Sequence, residues 1–249
     1  MSPFGKTFAM PPAQTVLGKI LRWPFSLIPP ETVVRILRGP LRGKKWVAGA
    51  GPNAYWVGRY EVARLREFAA TLTQGGVVYD VGASVGIYSL VASSEIGPTG
   101  MVYAFEPQER NLGYLRRHLA LNRVNNCFVL EAAVCNRDGT RRFSSAAWDA
   151  CMGRLSDDGE ISVPSTTIDT CVYGETGLRP PDILKVDVEG AELEVLEGAA
   201  KTLGEFHPRA FVETHGTQLH ADCCAYLQAK GYTVRQKYCE LTATWRASA

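Results

Sequence analysis

The sequence predicts an α/β fold, with a mostly parallel sheet covered by helices on both faces and a reversed strand at one edge. Three observations predict it. From residue 61 onward, short apolar runs alternate with helical patterns. Runs such as "VVYD" at 77–80 are apolar almost throughout, as in strands buried on both faces. Finally, "GYTVRQK" and "ELTATWRA" close the chain with a gap short enough for antiparallel pairing. At 249 residues and 46% hydrophobic content, the chain can bury one substantial core, so one main domain is expected.

The division predicted is a basic helical cap at 1–46 followed by the main domain at 47–249. The head carries Lys6, Lys19, Arg22, Arg35, Arg38, Arg42, Lys44 and Lys45 against Glu31 alone, although the whole chain is only +2. The small net charge argues against a nucleic-acid binder dominated by phosphate contacts. Within "TVLGKILRWPFSLIPPETVVRILRGPLRGKKW", Val16, Ile20 and Leu21, then Val33, Val34 and Leu37, lie at helical spacing, with Pro24 and Pro29-Pro30 between them. Two short cap helices are expected, and a basic surface of this kind also suits peripheral contact with an anionic membrane. No apolar run approaches the ~20 residues of a membrane span, and the N-terminus lacks the unbroken apolar core of a signal peptide. Seven cysteines without a CxxC pair fit neither a disulfide framework nor a zinc site, so a cytoplasmic setting is expected.

In the main domain, 61–70 reads as a helix, 77–82 as the first central strand, and 88–94 as the helix after it. A strand follows at 100–107, a helix at 109–122 and a strand at 127–134. Residues 135–160 read as irregular, before a strand at "ISVPSTTID" (161–169). The alternation resumes with a strand at 182–190, a helix at 191–203, a strand at 209–215 and a helix at 219–229.

Ligands of such sheets sit beyond the carboxyl ends of the strands. The carboxylates expected there are Asp80, Glu106, Glu131, Asp187 and Glu213, a negative rim better suited to a cationic, hydroxyl-bearing ligand than to a pyrophosphate. The loop "DVGASVG" has Gly82 and Gly86 but Ser84 where a dinucleotide fingerprint needs its second glycine. Glu106 is placed to hold two ribose hydroxyls, and Pro107 restricts it to an extended backbone.

"DVGASVG", "AFEPQERN", "LALN" at 119–122 and "DILKVDVEGAELEVLEGA", in this order, resemble the FkbM family of S-adenosylmethionine-dependent methyltransferases. The similarity covers about residues 55–215. It implies a class I, Rossmann-like methyltransferase fold of seven strands and S-adenosylmethionine as cofactor. Carried onto this sequence, it implies that Asp80, Gly82, Ala83 and Gly86 line the methionine and ribose part of the cofactor. Glu106, beside Pro107, would take the ribose hydroxyls, and Glu131 and Ala132 would lie near the adenine. Similar enzymes usually carry an aspartate about where Asn136 stands, a departure that weakens any adenine contact from that loop.

The chemistry implied is O-methylation of a sugar or secondary metabolite, with a small-molecule or glycosylated acceptor as partner and the oligomeric state left open. Methyl transfer to a hydroxyl needs a linear approach and removal of the proton. His215, neutral near pH 7, is the natural base, and Asp187 or Glu213 can orient it or take the proton. Asp187 also stands where related folds approach the methyl donor. Lys185 reads as a structural partner of the carboxylates, and Glu189 as either a site residue or a helix cap. Alternatively, Asp187, Glu189, Glu213 and His215 hold a magnesium or manganese ion. Other readings of the chain are a nicotinamide-dependent oxidoreductase and a non-catalytic binding module. Residues 135–160 and the head are expected to form the lid and acceptor pocket. The spacing of Trp148, Met152 and Arg154 does not choose between contact with a sugar face, contact with an aromatic acyl chain and no contact at all.

Overall fold

In a computed structural model, the described residues are 27–145, 153–156, 158–175, 177–237 and 239–245. The order of elements in the main sheet follows from its apolar runs. β3 (Val77–Val81), β4 (Met101–Phe105), β5 (Cys127–Leu130), β10 (Ile183–Val186) and β11 (Arg209–Glu213) are parallel. β12 (Tyr232–Lys237) and β13 (Glu240–Trp245) complete the order β12-β13-β11-β10-β3-β4-β5. The reversed strand is β13, one place in from the edge, where it pairs antiparallel with both β11 and β12. This is the seven-stranded, mostly parallel sheet that was expected.

Alternation along the strands divides the core into two layers. Val78, Val102, Ala104, Ile183 and Phe211 face one layer, completed by α2 (Val62–Ala69), α3 (Ile87–Ile96) and α4 (Glu109–Leu121). Val77, Tyr79, Val81, Leu184 and Val186 face the other. Its helices are α6 (Glu192–Glu197), α7 (Ala200–Glu205) and α8 (Thr217–Ala229), together with α5 (Ile168–Tyr173). Burial on both faces explains why these strands read as continuous apolar runs.

The head departs from expectation. Val16, Ile20 and Leu21 lie outside the described residues, and the second cap helix is replaced by a ribbon of β1 (Val33–Arg35) and β2 (Lys45–Val47). The β-branched pair Val33-Val34 favours a strand, and Gly39 and Gly43, at φ 84° and 87°, form the return that a helix could not make. Ile36 N donates to Lys44 O and Gly43 N to Ile36 O, closing the turn. The ribbon packs into the main core through Trp46 and Val47, both fully buried. Trp46 stacks on His118 of α4, ring centroids 3.7 Å apart. Beyond it, α1 (Ala54–Val57) carries Tyr55 and Trp56 into the same layer.

The described parts of 135–160, residues 135–145, 153–156 and 158–160, are likewise not wholly irregular. The expected strand at 127–134 divides: β5 stays in the main sheet, while β6 (Ala133–Val134) starts a second sheet. Its other strands are β7 (Gly139–Ser145), β8 (Gly153–Leu155) and β9 (Ile161–Thr166), in the order β6-β9-β7-β8. β7 is polar except for Phe143, and its pairing with β9 supplies a stability that apolar patterning does not reveal. The strand expected at 161–169 ends early because the Thr167 hydroxyl accepts from Thr170 N at 2.9 Å and starts α5. The helix expected at 191–203 breaks into α6 and α7. Gly198 O accepts from Asp169 N, and the Asp169 carboxylate accepts from the amides of Lys201 and Thr202, capping the second piece. Among the described residues, no helix is long and apolar enough to cross a membrane.

Candidate active site

A cleft of about 290 Å³ opens beyond the carboxyl ends of β3, β4, β10 and β11. One end is built by the loop after β3. Gly82 N and Ala83 N both donate to Phe105 O, at 3.0 and 2.9 Å, folding the loop over the end of β4. Gly82 has φ 74°, and a Cβ there would overlap the carbonyl oxygen of Asp187, so the β3 and β10 loops touch only because this residue is glycine. Gly86, at φ 94°, starts α3 against Leu115.

Glu106 lies at the same end and is 5% exposed. Its carboxylate accepts from Ser84 N at 2.8 Å and Gln108 N at 2.9 Å, with Asn111 Nδ2 at 3.5 Å. Burial, opposed by these amides, pushes its pKa up to about 7. Pro107, Ala132 and Val134 continue the wall, and Phe143 and Leu155 of the second sheet cover it. Buried carboxylate, glycine loop and apolar wall together fit the ribose and base of a nucleoside. The cover from Phe143, Gly153 and Leu155 falls within the stretch expected to form the lid; Trp148 and Met152 lie outside the described residues, and Arg154 is exposed and does not line the cleft.

At the other end stand Asp187, Glu189, Glu213 and His215, with Pro52, Tyr55 and Tyr60 contributed from before α2. His215 Nδ1 is 2.8 Å from Glu192 Oε1, while Nε2 is 3.4 Å from Glu189 Oε2 and 3.9 Å from Asp187 Oδ1. The hydrogen bond to Glu192, against burial and with help from Glu189, pushes the imidazole up to about 9. His215 is therefore cationic near pH 7, not neutral as the sequence alone suggests. Burial, opposed by Lys185, pushes Asp187 up to about 6.

Of the four residues considered for a metal, Asp187, Glu189 and His215 present ligand atoms within 4.8 Å of one another. Glu213 is drawn away by an ion pair with Arg64, which also reaches Glu61 at 3.4 Å and Glu240 at 3.6 Å. Tyr88 donates its hydroxyl to the same Glu61, at 2.9 Å.

The rim of five carboxylates does not form. Asp80 is fully buried: it accepts from Ser89 Oγ at 2.6 Å and pairs with Lys185 Nζ at 3.0 Å, and it does not line the cleft. Lys185 also reaches Gly82 O at 2.9 Å and Asp187 Oδ2 at 3.9 Å, the structural role expected of it. Glu131 faces outward in an ion pair with Arg116, and Asn136 donates to Glu197 at 2.9 Å. Ala83 and Gly86 shape the loop without lining the cleft.

Sequence reasoning missed Glu192, Arg64 and His118. Glu192 lies inside a quoted motif, but only the fold brings it behind His215. His118 joins three segments: Nε2 accepts from Val47 N at 3.0 Å, and Nδ1 lies 2.7 Å from Val85 O. Burial lowers its pKa to about 4. No short motif announces either contact, because the partners are distant in sequence.

Comparison with known proteins gives the arrangement a context. Residues 80–234 match the profile of the methyltransferase FkbM domain. The chain is 28% identical over 195 residues to the 31-O-demethyl-FK506 methyltransferase FkbM of Streptomyces tacrolimicus, covering 66% of this chain and 75% of that one. It is 29% identical over 129 residues to the hexuronic acid methyltransferase AglP of Haloferax volcanii, covering 51% of each. Its fold is similar to the crystal structure of a methyltransferase FkbM from Methylobacillus flagellatus KT. The TM-score is 0.52 at 18% identity, over 79% of this chain and 53% of that one.

Proposed function

Because the chain belongs to the FkbM family of S-adenosylmethionine-dependent methyltransferases, we propose that it methylates a hydroxyl oxygen of a sugar or secondary metabolite. The observation that carries this reading is the division of one cleft into two chemically different ends. Glu106 and the glycine loop form one end, and Asp187 with His215 forms the other.

Glu106 would hold the ribose hydroxyls of the cofactor, with Gly82 and Ser84 passing close to its amino-acid part and Ala132 and Val134 against its base. When bound, the cofactor supplies a methyl group made electrophilic by its sulfonium sulfur. The remaining work falls to this chain. An alcohol must lose its proton as its oxygen acquires the methyl group, and Asp187 receives that proton on its carboxylate. A carboxylate at about 6 is ionised at neutral pH and more basic than an ordinary aspartate. His215, cationic beside it, offsets the charges of Asp187 and Glu189. Tyr55, Tyr60, Phe143 and Leu155 exclude water and leave a surface suited to an apolar or sugar face. The names of the relatives, one for a substrate lacking a methyl on an oxygen and one for a hexuronic acid, support an acceptor in this range.

The spacing of Asp187, Glu189 and His215 favours one second reading, in which a magnesium or manganese ion orients the acceptor hydroxyls. The two part on addition of a chelator: activity is retained if Asp187 works alone and lost if an ion is required. The function itself is tested by incubating the protein with S-adenosylmethionine and a panel of glycosides, uronic acids and polyketide alcohols. A product gaining one methyl on oxygen supports it. Methylation only of nitrogen or carbon, or of nothing, refutes it.

A further inference from the structure

We propose that Glu192 is a positioning residue, fixing the His215 imidazole so that Nε2 faces the acceptor end of the cleft. The inference rests on the methyl-transfer reading above. Glu192 is fully buried, and its Oε1 accepts from His215 Nδ1 at 2.8 Å and from Gly190 N at 3.0 Å. Its other oxygen, Oε2, is buried and has no hydrogen-bond partner among the described residues. A buried carboxylate with one oxygen unsatisfied costs stability. Beyond the local amide of Gly190, its side-chain partner is His215.

The local backbone is built to make that bond. Glu189 and Gly190 both have positive φ, 54° and 113°, so the chain bends sharply between β10 and α6. With this bend between them, Glu189 lies on the Nε2 side of the ring and Glu192 on the Nδ1 side. Oε1, which already accepts from Gly190 N, accepts from Nδ1 as well, so Nδ1 carries the hydrogen in this bond. The ring is thereby held in one orientation, with Nε2 left to Asp187, Glu189 and whatever binds beside them. Glu192 does not line the cleft, so it acts only through the imidazole.

The test combines a spectroscopic and a kinetic arm. Full-length protein with ¹⁵N-labelled histidine, saturated with S-adenosylhomocysteine, should show a downfield Nδ1 proton that disappears in His215→Gln. The same signal should disappear in a folded Glu192→Gln variant, whereas Glu192→Asp should retain part of it. With the acceptor found in the methyl-transfer screen, Glu192→Gln should lower kcat about 10- to 100-fold, with KM for S-adenosylmethionine within about twofold. Adding Glu192→Gln to His215→Gln should cause no further loss. Persistence of the signal in Glu192→Gln overturns the proposal, and so do multiplicative losses in the double variant. If the wild type methylates no hydroxyl, the function reading fails, while the NMR signal still decides the Glu192–His215 link.

Discussion

Gly82 and Asp187 meet backbone to backbone: the position a Cβ would take on Gly82 is filled by the carbonyl oxygen of Asp187. This contact joins the end of the cleft proposed to hold the cofactor to the end proposed to carry the chemistry. Gly82→Ala must either push the β10 loop away or abandon φ 74°, both costly. Destabilisation of about 2 kcal/mol or more is expected by denaturant titration, together with loss of detectable S-adenosylmethionine binding by calorimetry. Unchanged affinity in a folded variant would separate the two loops functionally.

Glu106 carries a pH-dependent cost to stability at a position proposed to bind the cofactor. Its pKa rises from 4.5 to about 7 on folding, so the native state holds a proton that the unfolded chain has lost between those values. Stability from this group is complete below about 4.5 and falls as pH rises through about 7. Glu106→Gln should therefore melt at or above the wild-type temperature at pH 8, and bind S-adenosylmethionine at least about tenfold more weakly, the scale of a lost charged hydrogen bond. Scanning calorimetry and titration calorimetry on one preparation check both halves.

His118 carries the opposite sign. Its pKa falls from 6.5 to about 4 on folding, so the unfolded chain takes up a proton that the native state refuses. The stability from the neutral ring is present above 6.5 and lost as pH falls towards 4. His118→Ala should flatten the acid limb of stability between those pH values. It should also free the Val47 amide to exchange faster in hydrogen-exchange measurements, since the ring accepts from it directly.

Legibility in the sequence followed the range of the interactions. The main sheet was legible because strands buried on both faces carry their own signature, "VVYD" and "ILKV" among them. The placing of Gly82, Glu106 and Asp187 beside one cleft was legible because each lies at a strand end within a contiguous motif. The second sheet was not, since β7 is stabilised by pairing with β9 and offers only Phe143 as an apolar mark. Asp80 was misplaced because sequence cannot tell a strand-end carboxylate that faces the ligand from one that turns back to a buried lysine, as this one does to Lys185. The protonation of His215 depends on Glu192, a partner supplied by the fold.

Asp187 should impose an acid limb on the reaction. A base at about 6 must be ionised to accept a proton, so kcat should rise with pH through about 6 and level off above it. Asp187→Asn should remove that limb and lower kcat about 10²- to 10⁴-fold, while S-adenosylmethionine affinity stays within a few-fold. A pH–rate profile of the two proteins is the measurement.

The most direct test of the account is titration calorimetry of the protein with S-adenosylmethionine, S-adenosylhomocysteine and NADH, repeated on Glu106→Ala. Binding of both sulfur nucleosides but not NADH, lost in the variant, is the predicted result. Binding of NADH alone, or nucleoside affinity indifferent to Glu106, would contradict the assignment of this cleft and the chemistry built on it.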